Sequence, residues 1–226
     1  MNKRTKARPM LDRSGTAPYA EPAQHAHPSE PTAKPRPPSG EVAFLMTDIE
    51  GSTRLWDRAP EAMRRALKRH DNIMERAIEA AGGYVFCRAG DSFAAAFDSA
   101  ESALQAAVSS QRSIAAERWP DVIDLRVRMA IHIGESDERD GNYFGPCLNR
   151  CSRLLGLCRG GRIALSGAVR ERIGSHVAAV LELTDLGMHG LRDLDEPEHV
   201  WFCELGSPAN DGKTPECDDY FFERSM

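Results

Sequence analysis

A mixed α+β sheet is the fold this sequence predicts, and three observations predict it. An apolar run of strand length, Val42-Ala43-Phe44-Leu45-Met46-Thr47-Asp48-Ile49, is followed by a long amphipathic helical pattern. A strand–turn–strand unit then surrounds Ala89-Gly90-Asp91. A second helical pattern leads into an alternating strand over residues 125–134. Strand, helix, hairpin, helix, strand is the order of a ferredoxin-like βαββαβ core, here with extra strands and helices after it. The helices are expected on one face of the sheet.

Residues 1–40 are rich in Pro, Ala and charge, most plainly in Pro35-Arg36-Pro37-Pro38-Ser39-Gly40. Such a stretch cannot bury enough apolar surface to offset chain entropy, so a disordered tail is expected there. Residues 41–205 form the expected domain. After the first strand, Met63, Ala66, Leu67, His70, Ile73, Met74, Ala77, Ile78 and Ala81 recur at three- and four-residue steps, so residues 56–81 read as a helix. Pro60 suits its first turn and Gly82-Gly83 its stop. His70 lies on the apolar stripe and reads as a packed, hydrogen-bonded histidine.

Asp98-Ser99-Ala100-Glu101 reads as a helix cap with an acidic residue three positions on. Ala100, Ala103, Leu104, Ala107, Val108, Gln111 and Ala115 supply the next buried face, whose small residues suit close packing on a sheet. Residues 135–142 read as a polar loop, 145–157 as a helix, 162–166 as a strand and 167–173 as a short helix. Strands near 180–183 and 199–204 complete the domain. Residues 206–226 form a polar, acidic tail whose apolar cluster is Tyr220-Phe221-Phe222.

Composition narrows the classes. A net charge of -5 argues against a nucleic-acid-binding protein. No apolar run approaches membrane-spanning length. The basic residues near Met1 are followed by no apolar stretch, so no signal peptide is expected. Cys87, Cys147, Cys151, Cys158, Cys203 and Cys217 lack CxxC pairing or matching His spacing, which fits small reduced packing residues and a cytoplasmic setting.

The chemistry centres on the end of the first strand. Asp48 stands beside the small-residue turn Gly51-Ser52-Thr53, which opens a helix. A carboxylate there is a hard oxygen ligand, and free backbone N–H groups favour a phosphate. If the hairpin lies beside this strand, Asp48 and Asp91 meet at one end of the sheet. Two such carboxylates can hold a pair of Mg²⁺ or Mn²⁺ ions, an arrangement used in phosphoryl and nucleotidyl transfer.

Thr47-Asp48-Ile49-Glu50-Gly51-Ser52-Thr53, Gly90-Asp91 and Gly145-Pro146-Cys147-Leu148-Asn149-Arg150-Cys151-Ser152-Arg153 resemble, in order, the class III nucleotide cyclases. These are adenylate and guanylate cyclase catalytic domains, and the resemblance runs from about residue 41 to 205. It implies the same fold and the formation of a 3′,5′-cyclic nucleotide from ATP or GTP, ATP being favoured. It implies Asp48, Asp91 and the Ile49 carbonyl as holders of two Mg²⁺ or Mn²⁺ ions. The backbone from Ile49 through Gly51 and Ser52 to Thr53 would cradle phosphate. Arg128 and Arg192 would contact phosphate, and Asn149 and Arg153 would orient the ribose and stabilise charge at the reacting phosphorus. Arginine suits that role through its permanent charge and planar fork. In this family the site is shared between two protomers. Because one chain carries both sets of residues, a head-to-tail homodimer is implied, and no isolated monomer should be active.

Two positions depart from the family pattern. Adenylate cyclases carry Lys three before the glycine at position 90, where this chain has Cys87. They carry Asp three before the glycine at 145, where it has Asn142. Guanylate cyclases usually carry Glu and Cys. These side chains read the purine edge, and a thiol is a poor hydrogen-bond partner. Mispairing there relaxes base choice or weakens binding, and Arg88 should point to the opposite face from Cys87. A second reading therefore stands beside the enzyme: a cyclase-like nucleotide-binding or regulatory module. A diguanylate cyclase is disfavoured by the lack of a GGDEF-type turn. No sensor domain is legible, so a regulatory partner stays unnamed.

Overall fold

The computed structural model describes residues 36–175, 177 and 181–205. The expected tails, apart from residues 36–40, lie outside the described residues, as do Cys217, Tyr220-Phe221-Phe222 and the start of the strand expected near 180. The elements run β1 (Glu41–Ile49), α1 (Ser52–Arg58), α2 (Pro60–Ala80), β2 (Tyr84–Ala89), β3 (Ser92–Phe97), α3 (Ala100–Ala116), β4 (Val127–Glu135), β5 (Asp137–Arg139), β6 (Asn142–Phe144), α4 (Pro146–Leu157), β7 (Arg162–Ser166), α5 (Gly167–Arg172), β8 (Glu182–His189) and β9 (Glu198–Glu204). A seven-stranded sheet has the order β2-β3-β1-β4-β7-β9-β8, and β5 and β6 form a separate hairpin. Its first four strands are the ferredoxin-like core. β4 and β7 run parallel, and the other pairs are antiparallel.

β1 is central and buried on both sides, which explains its unbroken apolar run. Ala43 and Leu45 face one core cluster, with Met63, Met74, Ile78, Phe97 and Leu104 from the flanking elements. Val42 and Phe44 face a second, with Cys151, Leu154 and Tyr143. α2 and α3 lie on the first face, as expected, but α4 crosses the second. The parallel β4–β7 pair requires a crossover, and α4 is that crossover.

The single helix expected over 56–81 is two. Ala59 has φ -151° and ψ 64°, because the residue before a proline is driven out of the α region, and Pro60 then starts α2. The expected polar loop at 135–142 contains a hairpin instead, closed by Asp140 and Gly141 at φ 53° and 75°. The strand expected near 180–183 is β8, which extends to His189. α3 is capped by Ser99, whose hydroxyl accepts from Ser102 N at 3.1 Å, rather than by Asp98. Its alanine-lined face lets Gln111 reach the sheet, where its amide donates to Val127 O at 2.8 Å.

His70 is fully buried on α2, hydrogen-bonded to Asp71 and set edge-on to Phe93, as its place on the apolar stripe predicted. Cys151, Cys158 and Cys203 are buried free thiols, and burial pushes the first two up to about 12. They are packing residues.

A second buried histidine sets a pH limit. His132 of β4 bonds Ser166 Oγ at 2.9 Å, and burial lowers its pKa from 6.5 to about 4. As pH falls through 6.5 the unfolded chain takes up this proton and the folded chain does not, so stability declines until pH reaches about 4. The loss is about 3 kcal/mol. Thermal melts between pH 7 and pH 4 should show a smaller acid loss in His132→Gln than in the wild type. Equal losses would remove His132 from the acid response.

Candidate active site

The β1–β3 and β1–β4 pairings bring the two predicted aspartates to one end of the sheet. Asp48 is the penultimate residue of β1, and Asp91 occupies the turn between β2 and β3. Asp91 Oδ2 accepts from Ile49 N at 2.9 Å, which fixes its carboxyl one residue from Asp48. Arg128 sits directly across from Asp48 in the antiparallel register. Its Nε and Nη2 grip both oxygens of Asp48 at 2.7 and 2.6 Å, a bidentate fork in a half-buried position. That carboxylate raises the guanidinium pKa further, so its charge is permanent. Arg128 was expected on phosphate; in this structure its partner is Asp48.

The turn after β1 needs its glycine. Gly51 has φ 65°, the left-handed region, and precedes the first turn of α1 formed by Ser52 and Thr53. A Cβ there would also stand 3.0 Å from the Arg54 guanidinium. Gly51→Ala is therefore expected to cost about 1 kcal/mol, a fall of roughly 2–4 °C in Tm. An unchanged melt would show that the turn relaxes without strain.

The remaining predicted residues form a second group. Asn149 and Arg153 lie one turn apart on α4, and Asn149 is exposed. Arg153 Nη2 bonds Asp193 Oδ2 at 2.7 Å, and Arg192 Nε approaches the same oxygen at 3.3 Å. Asp193, with φ 61°, thus gathers the two arginines, a role the sequence reading missed. Asp193 is one of several acidic residues between Arg192 and Glu198, and nothing periodic singled it out. Neighbouring Arg150 is held by Glu198 at 2.5 Å, across α4 and β9.

Cys87 and Asn142, the positions expected to read the purine, are exposed and lie on neighbouring elements. A bulge at Phe86 shifts the β2–β3 register, so that Val85 pairs with Ala95 and Cys87 with Ala94. Arg88 lies over the Phe93 ring and is ion-paired with Asp71 and Glu75, which places it on the α2 face. Phe86 packs edge-on against Tyr143 of β6, with ring centroids 5.0 Å apart, so the hairpin carrying Asn142 lies alongside β2. Asn142 Oδ1 accepts from Tyr143 N at 3.0 Å, which leaves its amide nitrogen as the group's donor.

The two groups are apart within one chain. Asp48, Asp91 and Arg128 stand where β1 ends and β4 begins. The connection carrying Arg192 and Asp193 leaves β8 and enters β9 at the other end of the strands, as the pairings of Ile49 with Val127, Arg162 with Glu204, and His189 with Glu198 show. Among the described residues no hydrogen bond or ion pair joins the groups.

The Asp48 and Asp91 carboxylates and the Ile49 carbonyl are oxygen donors of the kind Mg²⁺ or Mn²⁺ takes, and in this structure both Asp48 oxygens are held by Arg128. Among the described residues no cluster of three or more His, Cys, Asp or Glu side chains occurs.

Residues 35–202 match the family described as the adenylate and guanylate cyclase catalytic domain, and this chain belongs to that family. An uncharacterized protein of Mycobacterium tuberculosis is 39% identical over 181 residues, covering 79% of this chain and 60% of its own length. An adenylate cyclase of Lachancea kluyveri is 37% identical over 155 residues, covering 58% of this chain and 8% of its own. The chain thus spans less than two thirds of the length of these relatives. Among solved structures, an adenylate/guanylate cyclase/hydrolase of Silicibacter pomeroyi matches with a TM-score of 0.65 and 27% identity, covering 74% of this chain and 98% of that one. A Trypanosoma brucei adenylate cyclase in its monomeric state gives a TM-score of 0.70 at 24% identity, covering 75% and 90%. The ferredoxin-like architecture is the fold of this family.

Proposed function

We propose that this chain, with residues 41–205 as its catalytic domain, is a nucleotide cyclase that converts ATP, in preference to GTP, to a 3′,5′-cyclic nucleotide and diphosphate. The observation that carries the reading is the Asp91 carboxyl fixed on the Ile49 amide, one residue from Asp48 and beside the Gly51 turn. In the reaction the ribose 3′ oxygen bonds to the α phosphorus as the bond from that phosphorus to the bridging oxygen breaks. The electron pair leaves with diphosphate, and the 3′ proton passes to water. Asp48, Asp91 and the Ile49 carbonyl would hold two Mg²⁺ or Mn²⁺ ions. Bound there, the ions supply charge neutralisation and a lowered pKa at the 3′ hydroxyl. The turn amides from Gly51 to Thr53 bind phosphate, Arg128 releases Asp48 to reach it, and Arg153 offsets charge at phosphorus while Asn149 orients the ribose.

The separation of the two residue groups supports a head-to-tail homodimer. Asp48, Asp91 and Arg128 of one protomer would face Asn149, Arg153, Arg192, Cys87 and Asn142 of its partner. A cytoplasmic location belongs to the same reading, supported by the free thiols; no helix among the described residues is long and apolar enough to cross a membrane. The presence of Asp48, Asp91, Asn149 and Arg153 together favours an enzyme over a nucleotide-binding module. The name of the fungal relatives, adenylate cyclase, favours ATP.

Purified protein with Mn²⁺ or Mg²⁺ and either ATP or GTP tests the proposal through cyclic AMP and cyclic GMP formation. Cys87→Lys with Asn142→Asp should raise the ATP-to-GTP ratio of kcat/KM by at least roughly ten-fold, the scale of one added charged hydrogen bond. An unchanged ratio would remove these positions from base reading. No product from a demonstrated dimer would overturn the enzyme.

A further inference from the structure

Arg54 and Arg58 on α1 and Arg126 before β4 line an open depression of about 530 Å³ with Glu50, Gly51 and Asp124. Arg126 is engaged, its Nε 3.1 Å from Asp124 Oδ2. Glu50 is directed towards Gly160, where its Oε2 lies 2.8 Å from the position a Cβ would take. Arg54 and Arg58 are one turn apart, and among the described residues neither has a hydrogen bond or ion pair. The Arg54 guanidinium folds back over the turn, with Nη2 and Nε 3.0 and 3.3 Å from the Cβ position of Gly51. An unpaired permanent cation thus lies over the backbone that joins Asp48 to α1.

We infer that Arg54, backed by Arg58, holds the terminal diphosphate portion of the triphosphate and, after turnover, the free diphosphate ion. The inference rests on the cyclase reading and adds two residues to it. A guanidinium matches phosphate bidentately and is less hydrated than an ammonium, so it binds such an anion without a large desolvation cost. The depression is continuous with the Gly51 turn, and its two carboxylates are turned to Gly160 and to Arg126. Three arginines and two carboxylates line it, a net of one positive charge, and Arg54 and Arg58 are the cations without an ion pair among the described residues. Arg58 also complements the C-terminal end of α1, which is its purely structural use.

The test is calorimetric titration of inorganic diphosphate with Mg²⁺ into the full chain, run beside diphosphate inhibition of cyclic nucleotide formation. Arg54→Gln should weaken diphosphate roughly ten-fold, the scale of one charged hydrogen bond, and Arg58→Gln by less. Arg54→Lys should recover part of the loss. KM for the triphosphate should rise in step with the inhibition constant for diphosphate, and kcat should fall less. An Arg54→Gln, Arg58→Gln double variant with undiminished diphosphate affinity would overturn the inference, as would a wild type that binds none. If that double variant also forms cyclic nucleotide, the cyclase reading survives the failure. If the wild type forms no product, the titration still reads the arginines directly. Should Arg54→Gln not fold, Arg54→Lys and Arg58→Gln carry the measurement.

Discussion

Asp48→Asn is expected to lower cyclic nucleotide formation by at least about 10³-fold, because it removes a charged ligand from the proposed two-ion site. The amide keeps the shape of the side chain and one acceptor oxygen for Arg128, so the protein should still fold. The fork from Arg128 loses half of its charge-assisted bonding, however, and a modest fall in melting temperature is expected. Mn²⁺ binding, followed by electron paramagnetic resonance, should weaken together with turnover. A variant with near wild-type turnover and unchanged Mn²⁺ affinity would take Asp48 out of the catalytic centre. Asp91→Asn is the matched control. Its Oδ2 already accepts the Ile49 amide proton, so its loss should disturb both the ion site and the turn.

The second large effect is complementation. Arg153→Ala should also be strongly impaired, by the roughly 10²–10³-fold seen when one transition-state donor is removed. Mixing the two dead proteins should restore about a quarter of wild-type activity, since half of the random dimers are mixed and each has one intact site. Asp193 makes this variant demanding, because truncating Arg153 leaves Asp193 only with Arg192. That carboxylate is largely exposed, so the structural cost should be small. Failure of the mixture, with subunit exchange shown independently, would confine each site to one chain or exclude Arg153.

Much of the core was legible because its signals are periodic. The apolar run of β1, the stripe from Met63 to Ile78 and the alanine face of α3 each encode burial directly. The turn glycines were legible for a similar reason, since few residues tolerate a left-handed backbone. The side of the sheet taken by α4 was not. Nothing in the period of Cys147, Cys151 and Leu154 says which face it meets, and the outcome follows from the parallel β4–β7 pair, a long-range fact. The β5–β6 hairpin escaped notice because its strands are three residues each and largely exposed. Of the candidate site, Asp48 and Asp91 could be placed together by adjacency of the hairpin and β1. Ion pairs such as Arg128 with Asp48 and Arg153 with Asp193 join residues 80 and 40 positions apart, and only the folded register reveals them.

The placement of the two residue groups at opposite strand ends also bears on how much product a cell obtains per copy of the chain. If each half-site is completed only by a neighbour, output depends on encounter. At concentrations well below the dimer dissociation constant, the total rate grows with the square of protein concentration. Doubling expression would then quadruple synthesis, whereas above that constant it would only double it. Abundance itself becomes a gain control that operates without any sensor domain. Anything that raises local concentration, such as tethering through the chain outside the domain, would act as a switch.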